Sequence, residues 1–347
     1  MDVGWAAAAG AGVALGVAAG FSALVHWAGP LDSPRPRGSH SQPTVTSGGL
    51  AIVAGSSAGL GLFAALAPAP VPGLVAVALV LGFAGGLGLL GALDDLVDLG
   101  AKGKLLAQAV IALLFAVAVT HIDALPIGGG IVLPLGLAVG ALGTALWLVV
   151  ATNAVNFMDG VDGLAVGSLA IALTVLGVAG LIQGETAVAG AAFAGAAAQL
   201  GFLPWNLPAR RLFQGDAGAL FSGFLVASLA VGAAERVSLY LVPFALTPFL
   251  TDVLLTLAVR ARRGPSLFEA HRDHLYQLWL RTTGQPHAAL TLRVWAVVGA
   301  YALAGLASEF APAGLRPPLF ALGIVVAAVL WRMARRRLEA GGAAAAS

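Results

Sequence analysis

Eleven apolar runs, each on the order of 20 residues and long enough to cross a hydrocarbon core of about 30 Å, leave little room for any architecture but one. They fall at 4–27, 47–66, 72–93, 104–120, 132–151, 164–182, 186–203, 217–232, 238–259, 288–309 and 314–331. A segment in lipid must satisfy its backbone internally, and for runs of this length that means helix. Charged residues make up only 10% of the 347, against about a quarter in soluble proteins, so water cannot be the main solvent. The predicted fold class is an all-α polytopic membrane protein of about eleven transmembrane helices, a single unit over 1–347 with a basic tail at 332–347. Cysteine is absent, which excludes disulfides and thiolate-held metals. Asp2 and the lack of a basic leader make the first run a retained helix, not a signal peptide. The glycines of the third run (Gly82, Gly85, Gly86, Gly88 and Gly91) are expected where helices approach closely.

The loops divide by charge. Sixteen of the eighteen Lys and Arg residues follow odd-numbered runs, the exceptions being Arg236 and Arg316. The positive-inside rule then puts those loops and the C-terminus in the cytoplasm and the N-terminus outside. The opposite loops are short and slightly acidic (Asp123, Glu185, Glu235, Glu309). The residues with chemical potential obey the same parity, so four separate loops can converge on one cytoplasmic surface. A transporter or lipid flippase with a cytoplasmic cation site is the rival reading, but transporters place ionisable groups near the midplane. Here the midplane carries only Asp252, read as a local polar contact.

Four clusters carry the chemistry. Gly91-Ala-Leu-Asp94-Asp95-Leu-Val-Asp98 is followed by Lys102 and Lys104. Adjacent carboxylates repel unless a cation, a proton or solvent intervenes, and Mg²⁺ held by one or two carboxylates plus substrate phosphates is the functional form; a solvated helix end is the bland one. In Asn153-Ala-Val-Asn156-Phe-Met-Asp159-Gly-Val-Asp162-Gly163, the first two polar side chains share a helix face, with Asp159 near it, and Gly160 and Gly163 allow a sharp turn. The calcium-loop template fails because its alternate ligands and late Glu are missing. Asn206-Leu-Pro-Ala-Arg210-Arg211-Leu-Phe213-Gln-Gly215-Asp216-Ala-Gly218 can present Asp216 at a helix entrance. His271-Arg272-Asp-His274-Leu-Tyr-Gln, near Arg260, Arg262 and Arg263, suits a pyrophosphate better than a metal cage, and the basic residues also suit anionic lipid.

These clusters, in this order and parity, resemble the polyprenyl-phosphate N-acetylhexosamine-1-phosphate transferases (glycosyltransferase family 4) over roughly residues 30–280. The resemblance implies a reaction in which polyprenyl phosphate attacks the β-phosphorus of a UDP-N-acetylhexosamine, giving polyprenyl-diphospho-sugar and UMP at the cytoplasmic face of a bacterial inner membrane. It implies Mg²⁺ as cofactor, with Mn²⁺ as the alternative, and a homodimer; no nucleic-acid partner is expected. By residue, it implies catalytic roles for Asp94, Asp95 and Asp159, and metal ligation by Asp216 and Asp95. Lys104 would lie near the lipid phosphate, with Asn153 and Asn156 also on the substrate side. Asp162 and Asn206 would contact uracil, Phe213 would stack on it, and His271, Arg272 and His274 would lie near the pyrophosphate.

Two departures narrow the branch. The histidine motif lacks the third histidine of the phospho-MurNAc-pentapeptide translocase, which points to the branch that initiates O-antigen-like glycans. The segment 39–49 resembles a family signature, but Val45 and Thr46 stand where Pro and Arg are expected, and His40 is only a weak candidate contact.

Overall fold

The computed structural model describes residues 2–28, 31–32, 44–45, 48–68, 71–97, 99–207, 211–264 and 271–346. The helices are α1 (Val3–Ala28), α2 (Gly49–Leu66), α3 (Leu74–Val97), α4 (Ala101–Ala118), α5 (Gly136–Met158), α6 (Leu164–Gln183), α7 (Thr186–Asn206), α8 (Gly215–Gly232), α9 (Leu241–Arg263), α10 (Leu275–Thr283), α11 (His287–Ser308) and α12 (Arg316–Ala346). All but the nine-residue α10 are long and apolar enough to span a bilayer, which gives the eleven spans expected from the sequence. A two-residue pair, β1 (Leu31–Asp32) and β2 (Thr44–Val45), bridges α1 and α2.

Each expected run holds a helix, but the fifth begins in strand at 132–134, and α3, α5, α9 and α12 continue past their apolar ends. Nothing in Asp94-Asp95-Leu-Val breaks a helix, so α3 runs on to Val97 and carries both aspartates in its last turns. In the same way α5 reaches Met158 and takes in Asn153 and Asn156. The arginine-rich tail is built from good helix formers, and α12 continues through it, with Arg335 Nε donating to Glu339 one turn on at 2.9 Å.

The middle of the bundle is α6, α7 and α8, buried along most of their length, while α4 and α12 leave most of theirs to lipid. Small residues set the spacing: a Cβ on Gly55 of α2 would stand 2.6 Å from the Ala14 carbonyl of α1, and one on Gly59 2.7 Å from that of Gly10. The glycines of α3 need correction. Gly82, Gly85 and Gly86 face open space; only Gly88 and Gly91 lie at a helix crossing, both against α8.

Far from the aspartates, residues 124–134 form an antiparallel hairpin with no counterpart in the sequence reading: β3 (Ala124–Gly128) and β4 (Ile131–Pro134). Gly129 and Gly130 make its turn with φ of 60° and 80°. Gly129 N donates to the Gly314 carbonyl at 3.1 Å, tying the hairpin to the approach to α12.

Candidate active site

The site is assembled around the first turn of α8. A helix start leaves backbone N–H groups without partners, and here a carboxylate from another helix meets two of them: Asp95 accepts from Asp216 N at 3.2 Å and from Ala217 N at 3.5 Å. The approach depends on Gly91, one turn back on α3, where a Cβ would stand 2.6 Å from the Ala217 nitrogen. On another side, Gly48 N and Gly49 N donate to the carbonyls of Phe213 and Gln214 at 3.0 and 2.9 Å. Asp216 is thereby held from two directions before its side chain does anything.

That side chain accepts from two others. Asn156 Nδ2 donates to Asp216 Oδ1 at 2.8 Å, and Lys104 Nζ donates to Asp216 Oδ2. Lys104 Nζ also donates to Asp94 Oδ2 at 2.8 Å, while Leu99 N donates to Asp94 Oδ1 at 2.9 Å. Helices α3, α4, α5 and α8 each supply one member of this array. Asp159, just past the end of α5, adds a fourth carboxyl; burial, then the charges of Asp216 and Asp95, hold its pKa well above the usual carboxylate range.

Two carboxylates share the Lys104 ammonium and two more, Asp95 and Asp159, lie beside Asp216, which leaves a local excess of carboxyl oxygen. Among the described residues no three His, Asp or Glu side chains are placed to hold a metal ion, and both oxygens of Asp216 are engaged by Asn156 and Lys104. Asp95 is turned towards the amides of α8 and acts in this arrangement as the clamp that seats Asp216.

Lys104, Asn153, Asn156, Phe157, His271 and His274 line a common cleft of about 540 Å³, with Leu254 and Leu257 of α9 on its apolar flank. Asn153 Nδ2 donates to Gln108 Oε1 at 2.5 Å and to the Val149 carbonyl at 2.8 Å. The rings of His271 and His274 lie 4.9 Å apart, and His274 is 5.6 Å from Phe157. Burial, with the charges of His274 and Arg260 behind it, pushes His271 down to about 4, and burial also lowers His274. Both shifts favour the neutral imidazole. Arg272 is exposed.

The histidine loop is pinned from below. Asp252 Oδ1 accepts from Leu275 N at 2.8 Å, Thr256 Oγ1 at 3.2 Å and Trp331 Nε1 at 2.9 Å, which makes it the local polar contact expected of it. Arg260 Nη1 pairs with Asp273 Oδ2 at 2.5 Å, and Arg335 Nη1 donates to the Asp273 carbonyl at 3.1 Å. Tyr276 donates to the Phe157 carbonyl at 3.0 Å, into space that a Cβ at Gly160 would fill.

Three expected nucleotide contacts lie at the next turn. Asn206 is buried, and its two ends are committed to backbone: Oδ1 accepts from Gly163 N at 2.5 Å and Nδ2 donates to the Leu212 carbonyl at 3.0 Å. It braces the loops that carry Asp162 and Phe213. Asp162 lies 3.6 Å from His287 Nδ1, and its carbonyl accepts from Thr291 at 2.7 Å. Phe213 is half-buried. Gly163, at φ 71°, opens α6 in a left-handed conformation. Of the 39–49 segment, residues 39–43, 46 and 47 lie outside the described residues, as do Asp98 and Arg210.

Sequence reasoning missed Gln108, Tyr276, Trp331 and Arg335. Gln108 had a signal, one turn after Lys104 on the same face of α4. The other three had none, because their role depends on how α10 and α12 pack.

The profile of a known family, glycosyl transferase family 4, matches residues 77–234. A decaprenyl-phosphate N-acetylglucosaminephosphotransferase of Mycolicibacterium smegmatis is 32% identical over 87% of this chain and 81% of its own length. The chain belongs to glycosyl transferase family 4. Another family 4 relative, an undecaprenyl-phosphate alpha-N-acetylglucosaminyl 1-phosphate transferase of Salmonella typhi, is 30% identical over 88% of this chain and 86% of its own. The phospho-N-acetylmuramoyl-pentapeptide-transferase of Corynebacterium kroppenstedtii is 28% identical over 82% and 88%. These values are consistent with the glycan-initiating branch of family 4. The family profile takes in every aspartate of the site and ends before the histidine loop.

Proposed function

We propose that the protein transfers N-acetylhexosamine-1-phosphate from a UDP-sugar to polyprenyl phosphate, releasing UMP and initiating a cell-surface glycan. The observation that carries this reading is the convergence of Asp94, Lys104, Asn156 and Asp216 from four helices, with Lys104 and Asn156 lining a cleft together with His271 and His274. The cleft is polar at Lys104, Asn153, Asn156 and the two histidines and apolar along α9, as an acceptor with an anionic head and a hydrocarbon tail requires.

Two phosphate-bearing anions must meet, so catalysis is mainly positioning and charge neutralisation. Bound Mg²⁺ would neutralise the diphosphate oxygens of the donor. In this reading Asp216, at the mouth of α8 and fixed by Asn156 and by the clamp of Asp95, would be the residue that holds the ion. Lys104 turns from its carboxylates towards the incoming lipid phosphate, whose oxygen is already ionised near pH 7 and needs no strong base. A new P–O bond then forms between that oxygen and the β-phosphorus, and the bond to UMP breaks. Neutral His271 and His274 hydrogen-bond the diphosphate without adding charge.

The excess of basic residues after odd-numbered spans supports a bacterial inner membrane enzyme with its site on the cytoplasmic face. The test is UMP release by purified protein with Mg²⁺ across a panel of UDP-N-acetylhexosamines, with and without polyprenyl phosphate. The proposal requires release only when the lipid is present. A well-folded preparation that yields no UMP from any donor defeats it.

A further inference from the structure

On the lipid-facing side of α9 and α12, away from the cleft, is a second cavity of about 520 Å³. Its polar rim consists of Arg262, Arg263, Arg332, Arg335 and Arg336 against a single acid, Glu339. Glu339 is already engaged, 2.9 Å from Arg335 Nε and 3.9 Å from Arg263 Nη2. The floor is apolar: Leu255 and Val259 come from α9, Val325 and Val329 from α12, and the last two are about half exposed.

The two helices carry the same pattern. On α12, Val325, Val329, Arg332 and Arg336 fall at spacings of four, three and four, one face of a helix. On α9, Leu255, Val259 and Arg262 do likewise. As the ninth and eleventh spans the helices run in the same direction, so their apolar halves lie side by side and their arginines end at one level. From Val325 to Arg336 the rise is about 16 Å, the depth of a phosphate headgroup and the first part of its acyl chains. The positive-inside tendency accounts for arginines near a membrane surface, but not for their alignment over a shared apolar slot.

We propose that this cavity binds an anionic diacyl phospholipid, its phosphate against Arg332 and Arg336 and its chains on the valine and leucine floor. Interhelical basic pockets at a membrane surface take such headgroups. The site adjoins the catalytic machinery through its own wall. Arg335 reaches from the rim to the carbonyl of Asp273, and Trp331 from the wall to Asp252, so the occupied cavity and the histidine loop share two side chains.

The test is lipid retention. Full-length protein is extracted from vesicles of equal phosphatidylglycerol and phosphatidylcholine, and co-purifying lipid is measured by mass spectrometry. Wild type is expected to enrich phosphatidylglycerol by about fivefold over the bulk ratio. The double variant Arg332→Gln/Arg336→Gln should return to that ratio, and a charge-matched control, Arg281→Gln/Arg293→Gln, should retain the enrichment. Equal loss in the control would reduce the effect to general surface charge and overturn the site, as would no loss in either. Competition by soluble glycerol phosphate would also overturn it, by reassigning the cavity to a free phosphate ester. Should the double variant misfold, wild type alone decides: photoreactive phosphatidylglycerol must label residues 255–262 and 325–332, and even labelling of α4 and α11 refutes the proposal. None of these readouts depends on transferase activity.

Discussion

Lys104 joins Asp94 to Asp216: one ammonium donates to Oδ2 of both, at 2.8 Å for Asp94, and so ties the end of α3 to the start of α8. It neutralises carboxylates that a bound divalent cation would also neutralise, so the two positive charges compete. Lys104→Gln is therefore expected to lower UMP release by at least about 10²-fold, the scale of losing one electrostatic contact to the transition state. The same variant should gain more thermal stability from added MgCl2 than wild type does. An equal or smaller gain would show that Lys104 and the cation do not share ligands.

Asp95 acts on α8 and not on solvent. Asp95→Ala uncovers two amides at a helix start, and it should destabilise by about 1–3 kcal/mol, the range for a buried charged acceptor lost to its donors. Gly91→Ala should lower activity to a similar extent from the other side, by forcing α3 away from Ala217. Thermal unfolding together with the UMP assay checks both, and a Gly91→Ala protein of wild-type rate would contradict the close approach.

Asp159 is a case of function held against stability. Its folded pKa is raised, so its protonated form is favoured, and the stabilisation present at low pH is lost as pH rises through the folded value. At pH 8, without divalent cation, Asp159→Asn is expected to melt at a higher temperature than wild type while turnover falls. The stability difference should shrink as pH is lowered towards 4.

The histidines give the opposite sign. His271 titrates at about 4 in the fold against an ordinary value of 6.5, so the unfolded chain binds the extra proton and stability is lost as pH falls from about 6.5 to about 4. His271→Gln should therefore lose less thermal stability than wild type between pH 7 and pH 4.5. Identical losses would remove His271 from the acid-sensitive set.

Trp331 and Asp252 place the histidine loop without touching substrate. Trp331→Phe keeps a ring and deletes the N–H that reaches Asp252. If the loop grips the donor's diphosphate, KM for the UDP-sugar should rise about fivefold to tenfold with kcat changed far less. A fall in kcat at constant KM would assign the pair to the chemical step instead.

The spans were legible because hydropathy needs no partner: a run such as 164–182 must be a helix in lipid whatever surrounds it. The aspartates were legible as a set for a related reason, since carboxylates have no packing explanation beside an apolar span. What hydropathy could not show was where helices stop, so the inclusion of Asp94 and Asp95 in α3 came from the structure. Roles set by contact were also hidden. That Asn206 braces two loops could not be read from its sequence, and Gly82 and Gly91 look alike there, yet only Gly91 meets another helix. The hairpin at 124–134 went unread because its strands are only five and four residues long and the second is apolar enough to be taken for the start of the fifth span.

The contact of α12 with the histidine loop bears on how the enzyme matures. Trp331 and Arg335 are synthesised after the loop they hold, with the whole of α11 in between. A nascent chain inserted only as far as α11 has every aspartate of the site and the Asp252, Arg260 and Tyr276 contacts of the histidine loop, but not the two from α12. The set of contacts that seats the loop is therefore completed late in biogenesis, when α12 packs against α9 and α10.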